Sequence, residues 1–485
     1  MTGVSQEMIA PRIDSRKAKL AGRAAEQIVA DVIELGWPVG HVLGSEAELL
    51  ERYGVSRAVL REAVRLVEHQ RVARMRRGTG GGLVIDEPHI DAVIGPAIIY
   101  LLRVDATLDD IFDTRMLLEQ LAAEIASQRA GENDIAELRA TLEREAAGAA
   151  GDYRLLHAHV AALTGNPVLE LFVETFSQVS NFYFADEAAL PSDMAHEVCR
   201  AHDAIARAVL ANDPGLARER MRRHLSAEAD FIRRQPDTVQ RLDPAVALAG
   251  SLTDKRGEAL ARQLFTDIVT ADAKPGTFIG SETALMARHQ ASRAVVREAI
   301  RILEYHQIAL TRRGPGGGLF VAEPDSSALA DVIAIFLRRR GVQVRHISEL
   351  RTGLELAVIE RAAARLHTAS TATAETMTAR LEHSLRAETE QGPELAFSRG
   401  EDFHSTLGSL TGNPALQLVH HVTMRLGWQF FSQLASGNPQ VSAISAPAAL
   451  EPVHREITEA LLAGDAEVAL MRMRAHLNIT GRTPS

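Results

Sequence analysis

The 485-residue sequence predicts a mainly α-helical chain: two small helical heads, each with a β-hairpin, alternating with two all-helical bundles. Three observations carry this reading. Aromatics make up only 4% of a composition that is 46% hydrophobic and 24% charged, with abundant Ala, Leu and Arg, which favours helices over sheets. A shift of 236 residues superposes Gly44-Ser45-Glu46 on Gly280-Ser281-Glu282 and Ser56-Arg57-Ala58-Val59 on Ser292-Arg293-Ala294-Val295, and 25 of 49 positions agree between Gly40–Pro88 and Gly276–Pro324. Apolar residues elsewhere recur at helical spacing, with no alternating run outside the hairpins. Solenoid repeats run to about 20–50 residues, so a period this long means two complete units with a core each. At roughly 150 residues per domain, the length accommodates two copies of a two-domain unit.

In the first head, Ile28, Val29, Val32 and Ile33 place a helix over Lys19 to Leu35, which Gly36 and Pro38 end. Ser45 caps a short helix through Arg52, Tyr53-Gly54-Val55 turns, and Ser56 caps a helix to His69. On that helix Leu60, Ala63, Val64 and Val67 form a stripe to bury, while Arg57, Arg61 and Arg65 recur every four residues on another face. Val72 to Arg77, a Gly78-Thr79-Gly80-Gly81-Gly82 turn and Leu83-Val84-Ile85 read as a hairpin with arginines at its tip. The result is a winged helix-turn-helix, and the second copy repeats it. The domains so read are residues 18–88 (winged head), 89–234 (bundle), 235–251 (linker), 252–324 (second winged head) and 325–480 (second bundle). Thr164-Gly165-Asn166-Pro167 breaks helices in the first bundle and recurs at Thr411-Gly412-Asn413-Pro414, an offset of 247. His202 and His224 recur as His454 and His476, an offset of 252.

The net charge of −10 excludes a uniformly cationic coat, yet Arg52 to Arg77 holds eight Arg and two Glu, and Arg288 to Arg313 six Arg and two Glu. An arginine-faced helix fits the DNA major groove, where a guanidinium bonds guanine O6 and N7 together, and a glycine-rich arginine tip can approach phosphates or the minor groove. The glycine loop lacks a following Lys-Ser/Thr and opens no helix, which excludes a nucleotide-phosphate cradle. The single cysteine, Cys199, forms no intrachain disulfide or cysteine metal cage; it reads as a buried small residue in a cytoplasmic protein. Ala92 to Leu102 is about half a membrane span and carries a proline, so no membrane segment or export signal is expected.

His157, His202 and His224, with His404, His454 and His476, come from three helices of each bundle. Gathered imidazoles bind zinc, nickel or a similar divalent ion, or hydrogen-bond in a core without metal. Arg115 and Arg351 each precede a glutamate by four residues, the spacing of a helix ion pair with Glu119 and Glu355.

These motifs resemble the GntR family of bacterial transcription regulators, in its FadR-like subfamily with an all-helical FCD effector domain, over nearly the whole chain and twice. The resemblance implies DNA contacts from Arg57, Arg61, Arg77 and Gly78, and from Arg293, Arg297, Arg313 and Gly314, with Ser56 and Ser292 at the helix starts. It implies that the six histidines are two sets of metal ligands, and that Arg115 and Arg351 line effector cavities where a planar fork holds a carboxylate. The sequence departs from the pattern at Ala47 and Thr283, where the family carries an arginine. Gln290 replaces the turn glycine, which strains that turn. Tyr153 and Gly400 stand where an aspartate ligand is usual, and the nearby Asp152 and Asp402 fall at unsuitable helical phases. The implied function is a sequence-specific transcription regulator, not an enzyme. Its partners are operator DNA and a small metabolite, and its two halves pair as an intrachain pseudo-dimer, with further pairing of chains left open. The alternatives are a metal-dependent hydrolytic enzyme using the three-histidine site, for which no general base is visible in both copies, and a non-specific architectural protein.

Overall fold

The computed structural model describes residues 15–76, 78, 81–87, 90–147, 155–181, 192–234, 256–312, 314, 316–435 and 447–480. Arg77, Arg313, Asp152, Tyr153 and the 235–251 linker lie outside the described residues. The chain divides into two compact units, one formed by residues 1–99 and 244–339, the other by residues 100–243 and 340–485.

The first unit holds both heads. In head 1, α1 (Ser15–Glu34) leads through β1 (Val42–Gly44) to α2 (Glu46–Tyr53), α3 (Arg57–His69), β2 (Ala73–Arg76) and β3 (Gly82–Ile85). Ser45 and Glu48 form a reciprocal capping box on α2, satisfying backbone donors that the first helical turn leaves open. Ile28 and Val32 of α1, Leu49 of α2, Leu60, Ala63 and Val67 of α3 and Leu83 and Ile85 of β3 close one core. The wing is more than a hairpin: its sheet runs β1-β3-β2, all antiparallel. β1 comes so close to β3 that a Cβ on Gly82 would lie 2.5 Å from the Gly44 carbonyl oxygen.

Head 2 repeats this order with α11 (Arg256–Thr270), β4 (Phe278–Gly280), α12 (Glu282–Arg288), α13 (Arg293–Tyr305), β5 (Ala309–Arg312) and β6 (Gly318–Val321), its sheet running β4-β6-β5. The turn before α13 places Gln290 at φ 47°, the left-handed region that Gly54 occupies at φ 61° in head 1. Two helices assigned to the bundles from sequence belong largely with the heads instead. Residues 91–99 of α4 (Asp91–Arg103) and the whole of α14 (Ser327–Arg339) group there. α14 packs on α1, Ile335 enters the core of head 1, and Arg339 reaches Glu87 at 3.2 Å. The second copy thus completes the core of the first copy's head.

The second unit holds both bundles. Bundle 1 comprises α5 (Leu108–Arg129), α6 (Glu132–Ala146), α7 (Leu155–Leu163), α8 (Pro167–Asn181), α9 (Ser192–Leu210) and α10 (Pro214–Arg234). Bundle 2 comprises α15 (Val344–Thr368), α16 (Thr371–Gln391), α17 (Pro393–Ser398), α18 (Phe403–Leu410), α19 (Pro414–Ala435), α20 (Pro447–Leu462) and α21 (Ala466–Thr480). α5 and α15 are the central helices, and they also meet each other, with α19 on α5 and α8 on α15. A Cβ on Gly353 of α15 would stand 2.8 Å from Leu121 Cδ2 of α5, so the absent side chain admits the close approach. Asn166 donates through Nδ2 to the His346 carbonyl (2.8 Å) and the Glu349 carboxylate (2.9 Å), and Arg129 also pairs with Glu349. Arg361 in turn holds Asp113 through two guanidinium nitrogens. No helix among the described residues is long and apolar enough to cross a membrane.

Candidate functional sites

Each head presents its arginines from a capped helix. Ser56 Oγ accepts from Val59 N at 3.4 Å and Ser292 Oγ from Val295 N at 3.4 Å, fixing the starts of α3 and α13. Beyond the caps, Arg57 and Arg61 are exposed and share Glu46 of α2, at 3.1 and 3.8 Å; Arg293 and Arg297 share Glu282 of α12, both at 3.1 Å. One glutamate per head therefore holds two arginines side by side on the outer face. Gly78 and Gly314 occupy the wing turns at φ 101° and 100°, accessible to L side chains only with strain. Ala47 and Thr283, in place of the family's arginine, add no cation to either α2 or α12.

The six histidines gather into two buried triads, His157 with His202 and His224, and His404 with His454 and His476; within each set the ligand atoms lie within 4.8 Å of one another. In bundle 1, His202 Nε2 lies 3.1 Å from His224 Nε2, which lies 3.2 Å from His157 Nε2. The opposite ring nitrogens turn outward: His202 Nδ1 meets Glu145 at 2.7 Å and His157 Nδ1 meets Glu119. Carboxylates on Nδ1 fix the tautomer with its proton there, leaving the Nε2 lone pairs converging on one point. Ring nitrogens this close need either a proton or a metal ion between them. An ion bonded at about 2.0–2.1 Å to each nitrogen in tetrahedral geometry spaces the nitrogens about 3.3 Å apart, close to the spacing present. Burial pushes the His202 and His224 imidazoles below their ordinary value, toward the neutral form a metal requires, whereas for His157 the Glu119 carboxylate outweighs burial and raises the imidazole, so a metal there displaces a proton. Burial alone would raise the Glu119 carboxyl, but Arg115 and His157 hold it well below the usual carboxylate range.

Bundle 2 repeats the triad and its carboxylate supports, but His404 Nε2 lies 3.4 Å from the Arg351 guanidinium. His454 Nδ1 meets Glu388 at 2.8 Å, His404 Nδ1 lies 2.7 Å from Glu355, and His454 Nε2 is buried without a hydrogen-bond partner. The ring centroids stand 4.9, 5.3 and 4.9 Å apart, against 5.2, 5.0 and 4.6 Å in bundle 1. Among the described residues neither triad gains a fourth ligand of the expected kind. Gly400 sits in a turn at φ 67°, and Asp402 is spent capping α18, accepting from Ser405 N at 3.0 Å.

Arg115 and Arg351 both form the pair with the glutamate four residues on, at 2.8 and 3.4 Å. Arg115 is fully buried, while Arg351 retains a 21% exposed side chain. The supporting carboxylates Glu145 and Glu388 were not legible as site residues, although each ends a Leu-x-x-Glu stretch starting at Leu142 and Leu385. His420, whose Nε2 lies 3.3 Å from Glu355, has Val173 as its counterpart in bundle 1 and was equally unmarked. Cys199 is half-buried rather than buried, and its thiol pKa is raised by desolvation and by Glu145.

Comparison with known proteins matches the FCD domain twice, at residues 110–227 and 346–479, and the gntR family of bacterial regulatory proteins at residues 20–82. The Uxu operon regulator of Haemophilus influenzae is 28% identical over 219 residues, 42% of this chain and 78% of its own length. The Exu regulon transcriptional regulator of Escherichia coli is 28% identical over 221 residues, 42% of this chain and 82% of its own. Among solved structures, the Streptococcus agalactiae GntR aligns with 44% of this chain and 99% of its own at 22% identity, with a TM-score of 0.34.

Proposed function

Because the chain belongs to the gntR family of bacterial regulatory proteins and carries two FCD domains, we propose that this DNA-binding transcription regulator works as a dimer folded from one chain. The observation that carries this is reciprocity between the bundles. Asn166 reaches from bundle 1 to the start of α15, and Asn413 reaches from bundle 2 to the start of α5. An isologous interface of this kind joins the subunits of a two-fold dimer, and here both sides lie in one polypeptide. The second winged head, in the FadR-like pattern, then reads the second half of an imperfectly palindromic operator, its half-sites differing because the heads differ.

The regulator is cytoplasmic and non-enzymatic. Glu119, Glu145, Glu355 and Glu388 lie on Nδ1 atoms, which suits orienting ligands, and Glu228, 3.9 Å from His224 Nε2, is itself held by Arg115. His157, His202 and His224, with His404, His454 and His476, would hold two zinc or nickel ions, leaving open positions for an effector. A metabolite carrying a carboxylate binds in the bundles and shifts the heads, to the extent that it prefers one of two arrangements.

Selection from a random DNA pool at physiological salt tests this, repeated with R57A/R61A and with R293A/R297A. A two-half-site motif that loses one half with each double variant is expected, bound by a particle of one chain's mass, 52.6 kDa. No enriched sequence, or binding only by a symmetric pair of chains, would overturn it.

A further inference from the structure

The two bundles differ where the repeated arginine meets the last helix. In bundle 1 the Arg115 guanidinium is filled by the protein itself. Nε donates to Glu119 at 2.8 Å, one terminal nitrogen to Ser180 Oγ (3.1 Å) and to Glu228 (2.9 Å), and the other to the second oxygen of Glu228 (3.4 Å). Glu228, on α10, thus grips the arginine with both carboxylate oxygens, the fork arrangement that a ligand carboxylate takes up.

Bundle 2 lacks both added partners. By the repeat offsets, Glu228 corresponds to Thr480 and Ser180 to Gly427, so neither position supplies a second carboxylate or the same hydroxyl. Arg351 keeps Glu355 at 3.4 Å and His404 Nε2 at 3.4 Å. Glu355 is itself divided, with His404 at 2.7 Å and His420 at 3.3 Å. The guanidinium of Arg351 is therefore the less neutralised of the two, and also the more exposed.

We propose that Glu228 is a built-in ligand that occupies the anion seat of bundle 1, so that each chain takes one carboxylate-bearing effector, in bundle 2, through Arg351. The inference rests on the effector reading above. A carboxylate entering bundle 1 must evict Glu228 and leave it unpaired, or sit as a third carboxylate around one buried guanidinium; both are unfavourable. In bundle 2 the incoming carboxylate supplies the charge that α21 does not.

Isothermal titration and native mass spectrometry of the full chain with formate, acetate, lactate, succinate and citrate test this, alongside the operator selection on the same preparation. Saturation at one equivalent per chain is expected. R351A should weaken binding about tenfold or more, the scale of a lost charged hydrogen bond. Because R115A removes a buried cation and can unfold bundle 1, the informative variant there is E228T/S180G, which installs the bundle 2 residues and should raise the stoichiometry to two. Two equivalents in the unmodified chain, a stoichiometry of one in E228T/S180G, or binding insensitive to R351A would each overturn the proposal. Absence of carboxylate binding in both proteins, with sequence-selective DNA binding intact, would overturn the proposal and leave the regulator standing. Loss of DNA selectivity would instead strike the regulator reading.

Discussion

Asn413 donates to the Asp113 carboxylate across the bundle interface at 3.1 Å, and to the Asp110 carbonyl at 3.0 Å. Its counterpart Asn166, 247 residues earlier, does the same to Glu349 and His346, which stand 236 residues after Asp113 and Asp110. Both asparagines are nearly inaccessible, so their amides replace water that the facing groups have lost. Asn166→Ala and Asn413→Ala should each lower unfolding stability by about 1 kcal/mol, the net worth of lost amide hydrogen bonds, since Arg129 and Arg361 still hold the facing carboxylates. Urea denaturation measures this. A change within error in both variants would show that the amides do not hold the interface.

The turn ahead of the second recognition helix should be the weaker of the two. Gln290 pays the left-handed penalty at φ 47° that Gly54 avoids at φ 61°. Gln290→Gly should therefore stabilise head 2 by about 0.5–1 kcal/mol, and Gly54→Ala should destabilise head 1 by a similar amount. Hydrogen exchange of the amides of α3 and α13, read separately, resolves the two heads. Equal protection changes of the same sign would contradict the assignment of strain.

Much of the heads was legible because their signals are local. Ser45, Ser56, Gly54 and the Leu60–Val67 stripe act on residues within a turn or two, and the helices fall within a residue or two of where those signals place them, apart from an earlier start to α1. The strand β1 is only three residues, too short to show alternation, and it is recruited by β3 some forty residues on. Ile335 was equally illegible as part of head 1, since the contact joins residues about three hundred apart. In the two triads the histidines stood out by recurrence. Their carboxylate supports did not, because Glu145 and Glu388 fall between the 236 and 247 offsets, where an insertion breaks the register. Asn166 and Asn413 were visible only as helix breaks, since an interface leaves no periodicity of its own.

Two metal equivalents per chain are expected after purification in zinc or nickel, counted by elemental analysis, falling to one in His202→Ala and in His454→Ala. Glu145→Gln and Glu388→Gln keep the ligands but loosen the rings, and should weaken metal affinity by about 10–100-fold. Chelation should lower the melting temperature, because an ion that binds only the folded state stabilises it in proportion to its occupancy. Full metal content in both histidine variants would remove the triads as the site.

Glu46 and Glu282 each hold a pair of arginines, and on the proposed reading DNA would take their place. Each glutamate sits beside two exposed guanidiniums, spacing them while neutralising part of their charge. In the proposed DNA complex the arginines would exchange that carboxylate for guanine edges or phosphates, and the carboxylate would then stand near a polyanion. Glu46→Gln should therefore tighten binding to random-sequence DNA several-fold and reduce the preference for the selected half-site, because charge repulsion falls while the arginines lose their alignment. Glu282→Gln should have the larger effect on selectivity, since both of its arginines lie at 3.1 Å whereas Arg61 stands 3.8 Å from Glu46. Affinities for selected and scrambled duplexes at two salt concentrations separate the two contributions. Unchanged selectivity in both variants would mean that the arginines find their bases without the clamp.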